Sequence, residues 1–192
     1  MLINILLFFV ILLMFVSLFL TRKCNNLSQL AFRDPLTGLH NPHYLRVAIE
    51  KFISRARKDK LYICGFFIDL DDLKKINDNY SHAAGDMALR RVAEELKHAF
   101  STKNDLLIRR YRGDEFIVLS LIKSRRVADM LFKSLSEKLS NLSIDYAGDD
   151  IAISASTGRY YLESNEADVI SKILEKADEE MFISKRSKKA GA

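Results

Sequence analysis

The sequence predicts an α/β domain with a central mixed or antiparallel sheet flanked by helices, preceded by one N-terminal transmembrane helix. Three observations carry this. The first 20 residues, MLINILLFFVILLMFVSLFL, are almost wholly apolar, and TRK follows at once. Beyond them, apolar runs of strand length alternate with apolar stripes at helical spacing. The order of these elements is strand, helix, hairpin, helix, strand, helix, which is not the regular alternation of a doubly wound fold.

The apolar run, residues 1–21, rises about 1.5 Å per residue and so just spans a bilayer core of roughly 30 Å. A cleaved signal peptide would carry a basic start and a small-residue cleavage site, and the run has neither. Arg22 and Lys23 stand directly before Cys24, against a lipoprotein signal, and their charge places the C-terminal bulk in the cytoplasm. Almost nothing is left on the other side, so no extracytoplasmic sensor domain is expected. Residues 22–32 read as a short helical linker and 33–192 as one soluble domain. Its turn-rich entry is RDPLTGLHNPHY. Leu45, Ala48, Ile49, Phe52, Ile53 and Ala56 then mark a helix. LYICGFFI (61–68) is a central strand, running into DLDDLKKINDNYSHAAGD. A second helix is expected from near Asp86, with Leu89, Val92, Ala93, Leu96 and Phe100 on its buried face. DLLIRRYRGDEFIVLSL forms two strands about a tight turn. A third helix carries Val127, Leu131, Leu135 and Leu139. IAISAST (151–157) is another strand, and the last helix carries Val169, Ile170, Ile173, Leu174, Ala177, Met181 and Phe182 on its buried face.

Cys24 and Cys64 are too few and too far apart for a disulfide framework or a thiolate metal site, which fits a reducing compartment. The net charge is +5, with KRSKK at 185–189. Such a tail suits phosphates or headgroups. Nothing in the chain has the form of a recognition helix, a zinc site or an aromatic-basic groove, so nucleic acid is not an expected partner.

The chemistry lies in acidic residues at strand ends. Strand 61–68 delivers Asp69 and Asp71, and alternation points both to one side with Leu70 facing away. The hairpin delivers Asp114 and Glu115 at its turn. Carboxylates on two strand ends can hold a divalent cation, and such a cation can hold triphosphate oxygens and offset charge at a phosphorus under attack. Gly113 permits a positive φ and close approach of a phosphate. Asn77 and Asp86 offer an amide and a carboxylate suited to a guanine edge, although Asp86 also suits a helix N-cap. Lys74, Lys75 and Lys185 are candidates for phosphate contact.

DPLTGL (34–39) with Asn41, FIDLDDLKKINDNYSHAAGD (67–86), RGDEF (112–116), SASTG (154–158) and ADEEMFISK (177–185) together resemble the GGDEF family of diguanylate cyclases. The resemblance implies a palm-like nucleotidyl cyclase fold. It implies an enzyme that joins two GTP into cyclic di-GMP with release of pyrophosphate, working as a homodimer; the apolar run places that domain at the bacterial inner membrane. It implies two Mg²⁺ or Mn²⁺ held by Asp69, Asp114 and Glu115 with the Leu70 carbonyl. Glu115 matches the residue cast as activating the hydroxyl. Asn77 and Asp86 match guanine-binding positions, and Lys74 and Lys185 match phosphate contacts, as does Lys189 with a lysine in place of arginine.

The chain departs from the family pattern at several positions. Arg112 replaces the first glycine of the signature, and the hairpin is one residue longer, around Arg110. Pro42 and His43 stand for two arginines, Leu73 for phenylalanine, Ser81 for glycine, and Lys188 and Lys189 for a Gly-Arg pair. The stretch TKNDL (102–106) lacks the arginine of the family's RxxD product site, so no product binding of that type is expected. A domain that binds GTP or a partner without turnover is the alternative that these departures leave open, and a separate sensory protein is a possible partner.

Overall fold

The computed structural model describes residues 2–102, 104–109, 113–166 and 168–190. In chain order the elements are α1 (Leu2–Phe32), α2 (Pro42–Lys58), β1 (Tyr62–Leu70), α3 (Leu73–Asn79), α4 (His82–Ala99), β2 (Asp105–Arg109), β3 (Glu115–Ile122), α5 (Arg125–Leu139), β4 (Leu142–Tyr146), β5 (Asp149–Ile153), β6 (Ala155–Glu163) and α6 (Val169–Ala190).

A single helix, α1, covers both the apolar run and the residues that follow it. Its stretch Ile5–Cys24 is long and apolar enough to cross a membrane, and none of it is buried. Its end is fixed to the domain by Asn41. The Asn41 side chain caps α2 by accepting from the His43 and Tyr44 N–H groups, both at 3.1 Å. It also donates to the Ala31 carbonyl at 3.0 Å. Phe32 then stacks on His43, with ring centroids 5.5 Å apart.

The main sheet has the order β2-β3-β1-β6, with each neighbouring pair antiparallel. A parallel bridge from His40 to Ile108 adds to its β2 edge. Alternation along β1 divides the core in two. Cys64, Phe66, Ile68 and Leu70 pack on the side that also holds Val92 and Leu96 of α4 and Leu135 of α5. Ile63 and Phe67 pack with Ile117 and Leu119 of β3 and Ile173, Ala177 and Met181 of α6. Asp69 therefore points to the α6 side, as does Glu115, two residues before Ile117.

Four expectations are corrected and one helix is added. Val127 and Phe182, expected on the buried faces of α5 and α6, are exposed, and Ala128 is buried on α5 instead; steps of four residues drift off the 3.6-residue helical period. The helix expected from near Asp86 begins at His82: Ser81 Oγ accepts from the Ala84 N–H at 3.2 Å, and Asp86 sits inside the helix instead of capping it. The short helix α3 has no counterpart in the sequence reading, because only Ile76 of its seven residues is buried and no apolar stripe marks it. The strand expected over 151–157 is two strands. Residues up to Ile153 pair with β4 in a separate two-stranded sheet, and residues from Ala155 pair with β1. The chain changes sheets at Ser154, whose carbonyl accepts from the Asp71 N–H at 2.8 Å.

The β2–β3 register is unbroken from Asp105–Ser120 to Arg109–Phe116. The additional hairpin residue around Arg110, and Arg112 itself, lie outside the described residues.

Candidate active site

Two backbone features assemble the acidic edge. Asp69 and Glu115 are register partners across β1 and β3. The Leu70 N–H donates to the Asp114 carbonyl at 3.1 Å, which brings the hairpin turn onto the end of β1. Gly113 has φ +91°, and a Cβ there would meet nothing within 4 Å. The glycine serves conformation there, not space.

The third contributor is α6. Gly158 of β6 lies opposite Phe67, and a Cβ there would collide with the Ala177 carbonyl and with the backbone of Met181. The glycine thus lets α6 lie directly on the sheet. One turn beyond Met181, Lys185 reaches back and donates to Asp69 Oδ1. Three residues later, Lys188 donates to Asp71 Oδ2 at 2.8 Å.

Electrostatics follow from crowding. Burial pushes the Asp69 carboxyl above its ordinary range; the Lys185 bond and charge oppose this, and Asp114 and Asp71 add to it. For Lys185, burial works against the charge, but the bond to Asp69, with Asp114 and Asp71 behind it, holds the ammonium above its ordinary range. Asp69, Asp114 and Glu115 offer only hard oxygen donors and an excess of negative charge, a set that fits Mg²⁺ or Mn²⁺. Among the described residues no three such groups converge on one point. The Lys185 ammonium is the cation that meets Asp69 here.

Asn77 of α3 packs against α4 at Gly85, the residue before Asp86. A Cβ on Gly85 would strike Asn77 Oδ1, so the glycine makes room for the amide beside Asp86. Asn77 Oδ1 is buried and has no hydrogen-bond partner among the described residues, an arrangement that suits a ligand's donor. Ser81, where the family carries glycine, caps α4 and donates to the Tyr146 hydroxyl at 2.6 Å.

Other expected residues are placed less closely. Lys74 is exposed on the first turn of α3. Lys75 pairs with Asp72 at 3.2 Å. The side chain of Lys189 lies outside those described. Asp105, at the position of the absent RxxD arginine's partner, is engaged by Thr102 at 2.6 Å and by Ser120 at 2.5 Å.

Sequence reasoning missed Ser154 and Ser156, which donate to the two Asp71 oxygens at 2.8 and 2.7 Å. The available signal was two serines two residues apart in a strand, which is weak without knowledge of its neighbour.

A family model described as "Diguanylate cyclase, GGDEF domain" matches residues 31–191. Diguanylate cyclase A of Treponema denticola is 34% identical over 176 residues, 85% of this chain and 44% of that protein. Diguanylate cyclase DgcP of Pseudomonas aeruginosa is 31% identical over 159 residues, 83% of this chain and 23% of that protein. The chain thus spans less than half the length of these relatives. Among solved structures, diguanylate cyclase SiaD of Pseudomonas aeruginosa, in complex with its activator SiaC, matches with a TM-score of 0.72 and 26% identity, over 91% of this chain and 66% of that one.

Proposed function

The chain belongs to the GGDEF diguanylate cyclase family, and on that premise we propose that it condenses two GTP into cyclic di-GMP. The observation that supports this most is the acidic edge: Asp69 opposite Glu115, Asp114 bonded through its backbone to Leu70, and Lys185 on Asp69.

Two domains face each other, each holding one GTP. In each half-reaction the 3′-oxygen of one nucleotide forms a bond to the α-phosphorus of the other, and the bond to pyrophosphate breaks. Glu115 takes up the hydroxyl proton. Asn77 and Asp86 bind the guanine edge, using the unpaired amide oxygen. Lys185 exchanges Asp69 for a phosphate oxygen, and Lys74 and Lys189 add charge around the triphosphate. Asp69, Asp114, Glu115 and the Leu70 carbonyl would hold Mg²⁺ or Mn²⁺. When bound, the metals neutralise phosphate charge and orient its oxygens. The protein's own share is alignment and fixed charge, which suits phosphoryl chemistry.

In this reading α1 anchors the chain in the inner membrane, with Arg22 and Lys23 on the cytoplasmic side. Anchoring raises the local concentration of domains and favours the homodimer. A separate protein partner supplies regulation, as an activator does for SiaD.

The test uses the full chain in detergent micelles with GTP and Mg²⁺ or Mn²⁺, resolved by chromatography with mass detection. Cyclic di-GMP that disappears with Glu115→Gln is the expected result. GTP bound without turnover in the wild-type chain would replace the cyclase by the regulatory reading.

A further inference from the structure

Asp71 has no place in the reaction above, yet its carboxylate is held from three sides. Ser156 donates to one oxygen, and Ser154 and Lys188 donate to the other. Its N–H donates to the Ser154 carbonyl at 2.8 Å, and Lys188 also donates to the Ala155 carbonyl at 2.9 Å. Both oxygens are thus engaged by the protein. The next residue, Asp72, has φ +54°. A side chain in that region costs energy and persists where its surroundings fix it. The bonds to Asp71 are such a fixture, one residue after Leu70.

We infer that Asp71, with Ser154, Ser156 and Lys188, is a positioning cluster for the cation site. It pins the turn at the end of β1 to the point where the chain changes sheets, and so sets where the Asp69 carboxylate and the Leu70 carbonyl stand. This rests on the metal-dependent reading above. Lys188 does a second thing. It lies three residues after Lys185 on the same side of α6. Its two bonds hold the last turns of α6 over the acidic edge when Lys185 leaves Asp69 for a phosphate. Groups that orient metal ligands are commonly worth 10–100-fold in metal affinity or activity.

The test titrates the full chain in detergent micelles with Mn²⁺ alone, reading free Mn²⁺ by electron paramagnetic resonance. The Mg²⁺ dependence of product formation is measured beside it. Ser154→Ala with Ser156→Ala changes no charge, and Mn²⁺ affinity is expected to fall about tenfold. The Mg²⁺ requirement should rise alike while the KM for GTP stays in place. Lys188→Met is the sharper arm. It leaves Asp71 uncompensated, which by Coulomb attraction alone would draw a cation in more strongly. Weaker Mn²⁺ binding in that variant therefore reports lost position, and Lys188→Arg should restore it. Mn²⁺ affinity unchanged in the serine variant, or tighter in Lys188→Met, overturns the inference. A merely structural role would lower the unfolding temperature and leave the affinity where it was. A wild-type chain that binds Mn²⁺ but makes no product removes the cyclase, and the Mn²⁺ series still decides the inference. A wild-type chain with no Mn²⁺ affinity overturns both.

Discussion

Gly158→Ala isolates the contact that seats α6. The added methyl would overlap the Ala177 carbonyl and the Met181 backbone, and Met181 Cα lies 2.8 Å from its position. Neither neighbour is the far end of a flexible side chain, so the helix as a whole must shift. Overpacking of this kind costs about 1–3 kcal/mol. In a domain of this size each kcal/mol lowers the unfolding temperature by about 2–4 °C, so a cost near the top of that range gives a loss of roughly 6–12 °C. The same shift carries Lys185 off Asp69, and a misplacement of about 1 Å at a reacting centre can cost on the order of 100-fold in rate. Thermal melts and product formation on the full chain would measure both. Gly148→Ala is the contrasting case: its φ is +91°, unlike that of Gly158, but a Cβ there meets nothing within 4 Å. It should cost about 1–2 kcal/mol from the left-handed backbone alone and leave turnover intact. A Gly158→Ala chain that melts with the wild type and keeps its activity would refute the reasoning.

Gly85→Ala should act on the nucleotide and not on the fold's centre. The methyl displaces the Asn77 amide, so GTP binding by calorimetry is expected to weaken about tenfold, the scale of one lost charge-assisted or buried hydrogen bond. Glu95 supplies a pH test. Burial works to raise its carboxyl, but Lys138 at 3.1 Å and Arg91 at 3.3 Å outweigh that and hold it below its ordinary 4.5. A depressed carboxyl stabilises the fold above the ordinary value, and that stability is lost as pH falls through the depressed one. Glu95→Gln should therefore melt below the wild type near pH 7, with the gap closing in acid. Cys64 is buried on β1, and burial pushes its thiol up to about 12. In a Cys24→Ser chain, iodoacetamide at about pH 8 should label Cys64 only after denaturation, because the thiolate is the nucleophile. Rapid labelling of the folded chain would contradict that burial.

Much of the fold was legible because it is local and periodic. The buried faces of α2, α4, α5 and α6, apart from Val127 and Phe182, the central strand β1 and the β2–β3 hairpin follow from apolar spacing, and the N-terminal helix follows from length and composition. Local turn chemistry was legible less evenly. Gly113 was read as a positive-φ turn position, whereas Asp86 was open to reading as a cap, and the cap proved to be Ser81, four residues before the helical glycine at 85. Serine and aspartate both cap helices, and the local sequence does not rank them. The short helix α3 carries one buried side chain and so no period to detect.

The sequence by itself determined which residue types stand at the ends of β1 and at the start of β3, and that alternation sends Asp69 and Glu115 to one side of the sheet. Only the tertiary structure decided what meets them. Lys185 and Asp69 are 116 residues apart, as are Lys188 and Asp71 by 117, and no local period relates them. Their meeting depends on a strand order that makes β1 and β6 neighbours, and on Gly158 leaving room for a helix backbone. The strand break at Ser154 belongs to the same class. Apolar alternation runs through it, and the chain changes sheets there because each strand edge can pair only once and the Ser154 carbonyl is taken by Asp71.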